Sequence, residues 1–331
     1  MNNENQHKWI PGRGPSREAL ERMREHFPKP KETMGEAWFN TNDRTMFPEL
    51  NSEETLRKIK PQDLSYPILF EIVSGTSSFG HREEWDEWFR YLLPYLIERS
   101  HERCFFSVYV LQANVSAFIN IFWKGIEGEY DGFREDVIAT FSHLLMDERF
   151  WEKKGEKFSR PAFLTEYRDG ADQWKLPWDT GTASENLSAM IFFNLKYLKA
   201  EEIAEWTGSI FAIDDIYWRG ALLNWLAAAY DVLREPVIVP SMIEKAKPEL
   251  QWECSHAMGS RQGDEEALEY YNDNRLFIPS ENPRVFLAEV KKHLNEDRLI
   301  EWASDFSTSK LIEESTWGIP DKLLEKLSKT S

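Results

Sequence analysis

Three helix-length apolar patterns follow one another between residues 184 and 233, separated by linkers of two residues. No other feature of the chain restricts its fold so strongly. The segments are 184–198, 201–213 and Ile216–Leu233, and apolar residues recur in each at steps of three and four, the spacing of one helix face. Ser184 and Glu185 supply a start signal for the first, and Glu201 and Glu202 place acids in the first turn of the second, where the helix dipole favours them. The third segment carries Trp218, Leu222, Trp225, Leu226, Ala229 and Leu233 on one side, with Leu223, Ala227 and Ala228 on the other. A helix that is apolar all round must be covered all round, so it is expected at the centre. Linkers this short turn each helix back on the one before.

The rest of the chain repeats the helical period. Ser16 offers an N-cap to a charged helix over Arg17–His26, which Phe27-Pro28-Lys29-Pro30 ends, and a further short helix starts near Ser52 and stops at Pro61. An apolar run over 66–73 follows. Residues 83–100 set Trp85, Trp88, Phe89, Leu92 and Leu96 on one face, with Pro94 as a kink. Residues 105–123 are apolar on nearly all sides; their first half is strand-like in composition, but the length favours a buried helix. One continuous helix is expected from Gly132 to Phe150, with Phe133, Val137, Phe141, Leu144 and Leu145 turned inward. Val237-Ile238-Val239-Pro240 is too short and isolated to build a sheet. Helices resume over 264–273, 283–295, 296–303 and 308–317, with a last one after Pro320. Strands never alternate with helices, so the α/β classes are excluded and the fold class is all-α. The expected organisation is a polar N-terminal tail with a short helix (1–51) and one all-α domain (52–331) interrupted by an irregular excursion over 152–183. With 14 Trp and 21 Phe, core material for such a domain is plentiful.

The pairing of 83–100 with 105–123, of 132–150 with 184–198 and of 201–213 with 216–233 suggests stacked antiparallel hairpins. Leu92-Leu93-Pro94-Tyr95-Leu96, kinked by its proline and followed by a more apolar helix, resembles the first helix of a HEAT-type repeat. The stretch from Tyr217 to Leu226 similarly resembles the inner helix of such a repeat. The resemblance covers residues 64–233 and implies an α-solenoid whose curved face binds a protein or an extended ligand. Hairpins of uneven spacing, with no recurring residue signature, leave an irregular helical bundle as the competing architecture.

Charge restricts the partners. Fifty-seven acids against 40 bases give a formal charge of −17, a field that repels nucleic acid and anionic membrane and suits a basic protein. No apolar run approaches the roughly 20 residues of a membrane span. Residues 1–15 hold no signal-peptide stretch, and Cys104 and Cys254 stand far apart, so the expected setting is cytoplasmic with reduced thiols.

Chemistry-bearing patterns are few. Glu98-x-x-His101 and Glu253-x-x-His256 each put a carboxylate and an imidazole on one helix face, and Glu71 lies alone in an apolar run as a further donor. Two such motifs on facing helices build a di-metal site, which makes a metal-dependent helical enzyme the alternative reading. The same motif recurs as Glu4-x-x-His7 in the polar tail, so it arises cheaply in this composition. Isoprenoid cyclases also hold magnesium through Asp-rich motifs on an all-α fold. Asp214-Asp215 lacks their third acid and reads as the N-cap region of the next helix. No G-x-S-x-G, H-E-x-x-H or phosphate-binding glycine loop occurs, and no cofactor is expected. The favoured reading is a non-enzymatic protein-interaction or scaffold protein, in one version an immunity-type inhibitor of a basic toxin, since charge complementarity speeds such encounters. Its candidate contact residues are Trp174, Trp178 and Asp179 in the excursion, and Asp214 and Asp215 before the central helix.

Overall fold

The computed structural model describes residues 9–31, 60–64, 82–101, 110–150, 167–168, 174–175, 185–246, 250, 252 and 278–328. These residues form an all-α fold. The helix expected near Ser52, the run over 66–73 and the helix over 264–273 lie outside the described residues, as does most of the 152–183 excursion. Of that excursion two short strands are described, β1 (Tyr167–Arg168) and β2 (Trp174–Lys175), paired antiparallel.

Local chemistry sets the helix ends. In α1 (Arg17–His26) the Ser16 hydroxyl accepts from the Ala19 N–H at 3.3 Å, while Ala19, Leu20 and Met23 face inward. The helices α2 (Arg82–Glu98), with Pro94 inside it, and α3 (Val110–Ile121) follow. Next comes α4, which differs from expectation: it runs only over Phe133–Thr140 and then tightens into 3₁₀ turns over Phe141–Met146 and Glu148–Phe150. Two hydroxyls mark the change. Thr140 Oγ1 donates to the Asp136 carbonyl at 2.7 Å, and Ser142 Oγ donates to the Ile138 carbonyl at 2.5 Å. Such back-bonding does not end a helix by itself, since Ser116 makes the same bond to the Gln112 carbonyl within α3.

The three consecutive helices read from the sequence are α5 (Glu185–Tyr197), α6 (Ala200–Phe211) and α7 (Ile216–Leu233). Asp215 caps α7, its carboxylate accepting from the Trp218 N–H at 2.8 Å. After α7 comes β3 (Val237–Ile238), which does find an antiparallel partner, β4 (Ile278–Pro279), in a two-residue bridge. A short α8 (Pro240–Lys245) separates them, and α9 (Glu281–His293), α10 (Glu296–Phe306), α11 (Lys310–Ser315) and α12 (Ile319–Ser328) complete the described chain.

The centre is α7. It packs against α5, α9, α10, α11 and α12, and Trp218 and Trp225 are fully enclosed. Both of these indoles have an acceptor: Trp218 Nε1 donates to the Ile210 carbonyl at 2.7 Å and Trp225 Nε1 to Ser188 Oγ at 3.0 Å. Around this hub the helices do not pair in strict chain order. Its single apolar stripe, Ile203, Trp206 and Ile210, leads α6 to make its principal contact with α9, where the rings of Trp206 and Phe286 lie 5.9 Å apart. The other principal contacts are α3 with α5, α1 with α4, and α12 with α7. Phe118 joins α3 to its neighbours through edge and tilted contacts with Phe141, Phe193 and Tyr197 at 4.9–5.6 Å. One apolar cluster extends from Trp9 to Leu327. Among the described residues no helix is long and apolar enough to cross a membrane.

Candidate functional site

The metal alternative is only partly visible. Glu98, at the end of α2, is bound to Arg24 of α1 at 2.6 Å. His101 lies just beyond that helix end, while Glu71, Glu253 and His256 lie outside the described residues. Among the described residues no three His, Cys, Asp or Glu side chains gather as metal donors. Of the candidate contact residues in the excursion, Trp174 sits in β2 opposite Arg168; Trp178 and Asp179 lie outside the described residues.

Asp214 and Asp215 lie directly before α7. Asp215 serves as the α7 cap, and Asp214 carries an exposed carboxylate held at 2.6 Å by Arg219 Nη2. The other terminal nitrogen of Arg219 binds Asp305 of α10 at 2.6 Å, and its guanidinium lies over the Trp302 ring, 5.4 Å from the centroid. Arg219 therefore clamps the acidic corner before α7 onto α10. The corner read from the sequence and the C-terminal helices form one surface.

That surface is built by amphipathicity. Along α10, Leu299, Trp302 and Phe306 face inward, and Glu296, Asp297 and Glu301 face water. Ile312 is buried in α11 while Glu313 and Glu314 are exposed; α12 buries Leu323 and Leu327 and exposes Asp321. The exposed cations here are Lys310, drawn to Glu314 at 3.5 Å, and Lys322. Two large apolar side chains break the pattern: Ile300 on α10 is 62% exposed, and Trp317, between α11 and α12, is 82% exposed. Sequence reading placed Trp317 at a helix end without a role. An aromatic beside Gly-Ile-Pro anchors a core as readily as it faces solvent, so only the folded neighbourhood separates the two.

A second concavity has a different character. A cleft of about 550 Å3 is lined by Phe27, Pro28, Lys29, Pro30 and Lys31 after α1 and by Glu87 and Arg90 of α2. Of its three cations, Arg90 is committed within the fold, bidentate to Glu129 at 3.0 Å and stacked over the Phe122 ring at 5.2 Å. Elsewhere, burial pushes the Lys196 amine of α5 down to about 8. No protein-family model matches the chain, and no curated protein or solved structure matches it.

Proposed function

We propose that the protein is a non-enzymatic binding protein that recognises a basic protein partner through its acidic surface. The observation carrying this reading is electrostatic: the chain has a formal charge of −17, and the outward faces of α10, α11 and α12 present carboxylates with few lysines among them. Such a field attracts a cationic protein at long range and raises its association rate, and it repels nucleic acid and anionic lipid. The proposed setting is the cytoplasm, where Cys104 and Cys254 would stay reduced.

The test is affinity capture of the tagged full-length protein from a lysate of its source cells at low and at high salt, followed by mass spectrometry. A stoichiometric partner rich in Lys and Arg, released as salt rises, is the expected result. Retention of nothing, or of a partner indifferent to ionic strength, would overturn the reading.

A further inference from the structure

We infer that Trp317 is the anchor of the docking surface, inserting into an apolar pocket rimmed by Lys and Arg on a basic partner, with Ile300 as a second apolar contact. The inference rests on the proposed function and assigns it a place on the molecule.

Trp317 is not the frayed end of a helix. Thr316, immediately before it, is buried, and its Oγ1 donates to the Ile312 carbonyl at 2.8 Å. The Thr316 N–H donates to that same carbonyl at 2.9 Å, and the Ile319 N–H returns to the Thr316 carbonyl at 3.0 Å. Gly318, at φ +74°, supplies the left-handed residue that lets the chain reverse there into α12. These bonds hold the backbone on both sides of the indole, so the most exposed large apolar side chain among the described residues stands on an ordered turn. Trp is also the residue most enriched among those that dominate interface energies, and an anchor held in place before contact loses less freedom on binding. An indole held this far out of its own core is available for contact with another molecule.

Charge selects the occupant. The exposed acids nearest in sequence, Glu313, Glu314 and Asp321, and those of α10, Glu296, Asp297 and Glu301, are opposed by exposed Lys310 and Lys322. A second copy of this chain would bring the same acids face to face across a two-fold axis. Nucleic acid and anionic lipid are repelled for the same reason. A basic protein surface with an apolar recess satisfies both the indole and the carboxylates.

The experiment places the photo-crosslinking residue p-benzoylphenylalanine at position 317, at 300, or at Ile10, the exposed apolar control near the other end of the described chain. Each full-length protein is irradiated in source-cell lysate, and the adducts are identified. The partner so identified is then purified and titrated against wild-type protein and Trp317→Ala. The expected result is one adduct, to a basic protein, from positions 317 and 300 but not from 10, with affinity weakened roughly 30-fold by Trp317→Ala. Because Trp317 is exposed, that variant should keep the wild-type circular dichroism spectrum and melting temperature. A salt-released basic partner that crosslinks only from elsewhere, or ignores Trp317→Ala, overturns the surface assignment and leaves the proposed function standing. An adduct with a second copy of the chain also overturns it. Absence of any salt-released basic partner overturns both.

Discussion

Asp136 on α4 is only 1% exposed, yet it is a carboxylate. Arg22 of α1 grips it through Nε at 3.0 Å and Nη2 at 2.5 Å, and the Tyr130 hydroxyl donates to its other oxygen at 2.8 Å. Burial, together with the bond to Asp136, pushes the Tyr130 hydroxyl far above its usual range, so it remains a donor at any ordinary pH. Arg22→Ala should leave a buried carboxylate with one neutral donor and cost about 2–4 kcal/mol in denaturant unfolding, since losing one partner strands the other charge. Equal midpoints for variant and wild type would show that the pair contributes nothing. Asn194 of α5 is the opposite case: it is 0% exposed, and neither its Nδ2 nor its Oδ1 finds a partner among the described residues. Leu has the same branched skeleton without polar atoms to desolvate, so Asn194→Leu should stabilise the fold by about 1–2 kcal/mol. A lower melting temperature would mean that the amide is satisfied in solution.

At the scale of elements, α6 is sensitive to acid at both ends, against α4 through Glu202 and at its joint with α9 through His293. Burial opposes ionisation of Glu202, but the hydrogen bonds from Arg134 and from the Lys199 N–H outweigh it and hold the carboxyl below its usual range. His293, stacked on Phe211 with ring centroids 5.4 Å apart, is lowered chiefly by burial. The signs agree. A depressed histidine favours folding only while neutral, so its contribution falls as pH drops below about 6.5; the Glu202 contribution falls at lower pH, as that carboxyl protonates. Melting temperature should therefore decline in two steps on acidification, the upper removed by His293→Phe and the lower by Glu202→Gln. An unchanged profile in either variant would reject its assignment. In the same joint, Gly208 stands mid-helix, and an added Cβ would meet only the His293 ring, at 3.5 Å, an ordinary contact. Gly208→Ala should raise stability by about 0.5–1 kcal/mol through helix propensity, readable in urea melts.

The elements were legible where end signals coincide with the apolar period: Ser16 and Asp215 mark the starts of α1 and α7, and those two helices have the bounds that the sequence predicts. Less legible was the tightening after Thr140, because the apolar period runs on through Phe141, Leu144 and Leu145 and marks no break there. The choice of α9 as the partner of α6 was hidden for another reason. Periodicity tells a helix which face to bury, not which distant face will cover it. Of the site, Asp214 and Asp215 were legible as an acidic corner, but their union with α10 depends on Arg219 reaching Asp305, a contact between residues far apart in the chain.

At the scale of the molecule, the described residues share one core, with Trp9 hydrogen-bonded to Ser142 at 2.8 Å near one end and Tyr230 bonded to the Lys326 carbonyl at 2.7 Å near the other. Unfolding should accordingly be a single transition, with tryptophan emission and far-ultraviolet circular dichroism melting together. Two separated midpoints would mean that the C-terminal helices unfold on their own. The central position of α7 has a consequence for how the protein is made. Ribosomes release the chain from its N-terminus, so Trp218, Trp225 and Leu233 are synthesised before the helices α9 to α12 that cover them. At a translation speed of roughly 5–20 residues per second, completing the chain through Ser328 takes on the order of 5–20 s. For that interval the nascent polypeptide carries an apolar rod that α5 covers on one side only. It is then a natural client for chaperones that hold growing chains, and its yield in a foreign host should depend on translation rate before it depends on the stability of the finished fold.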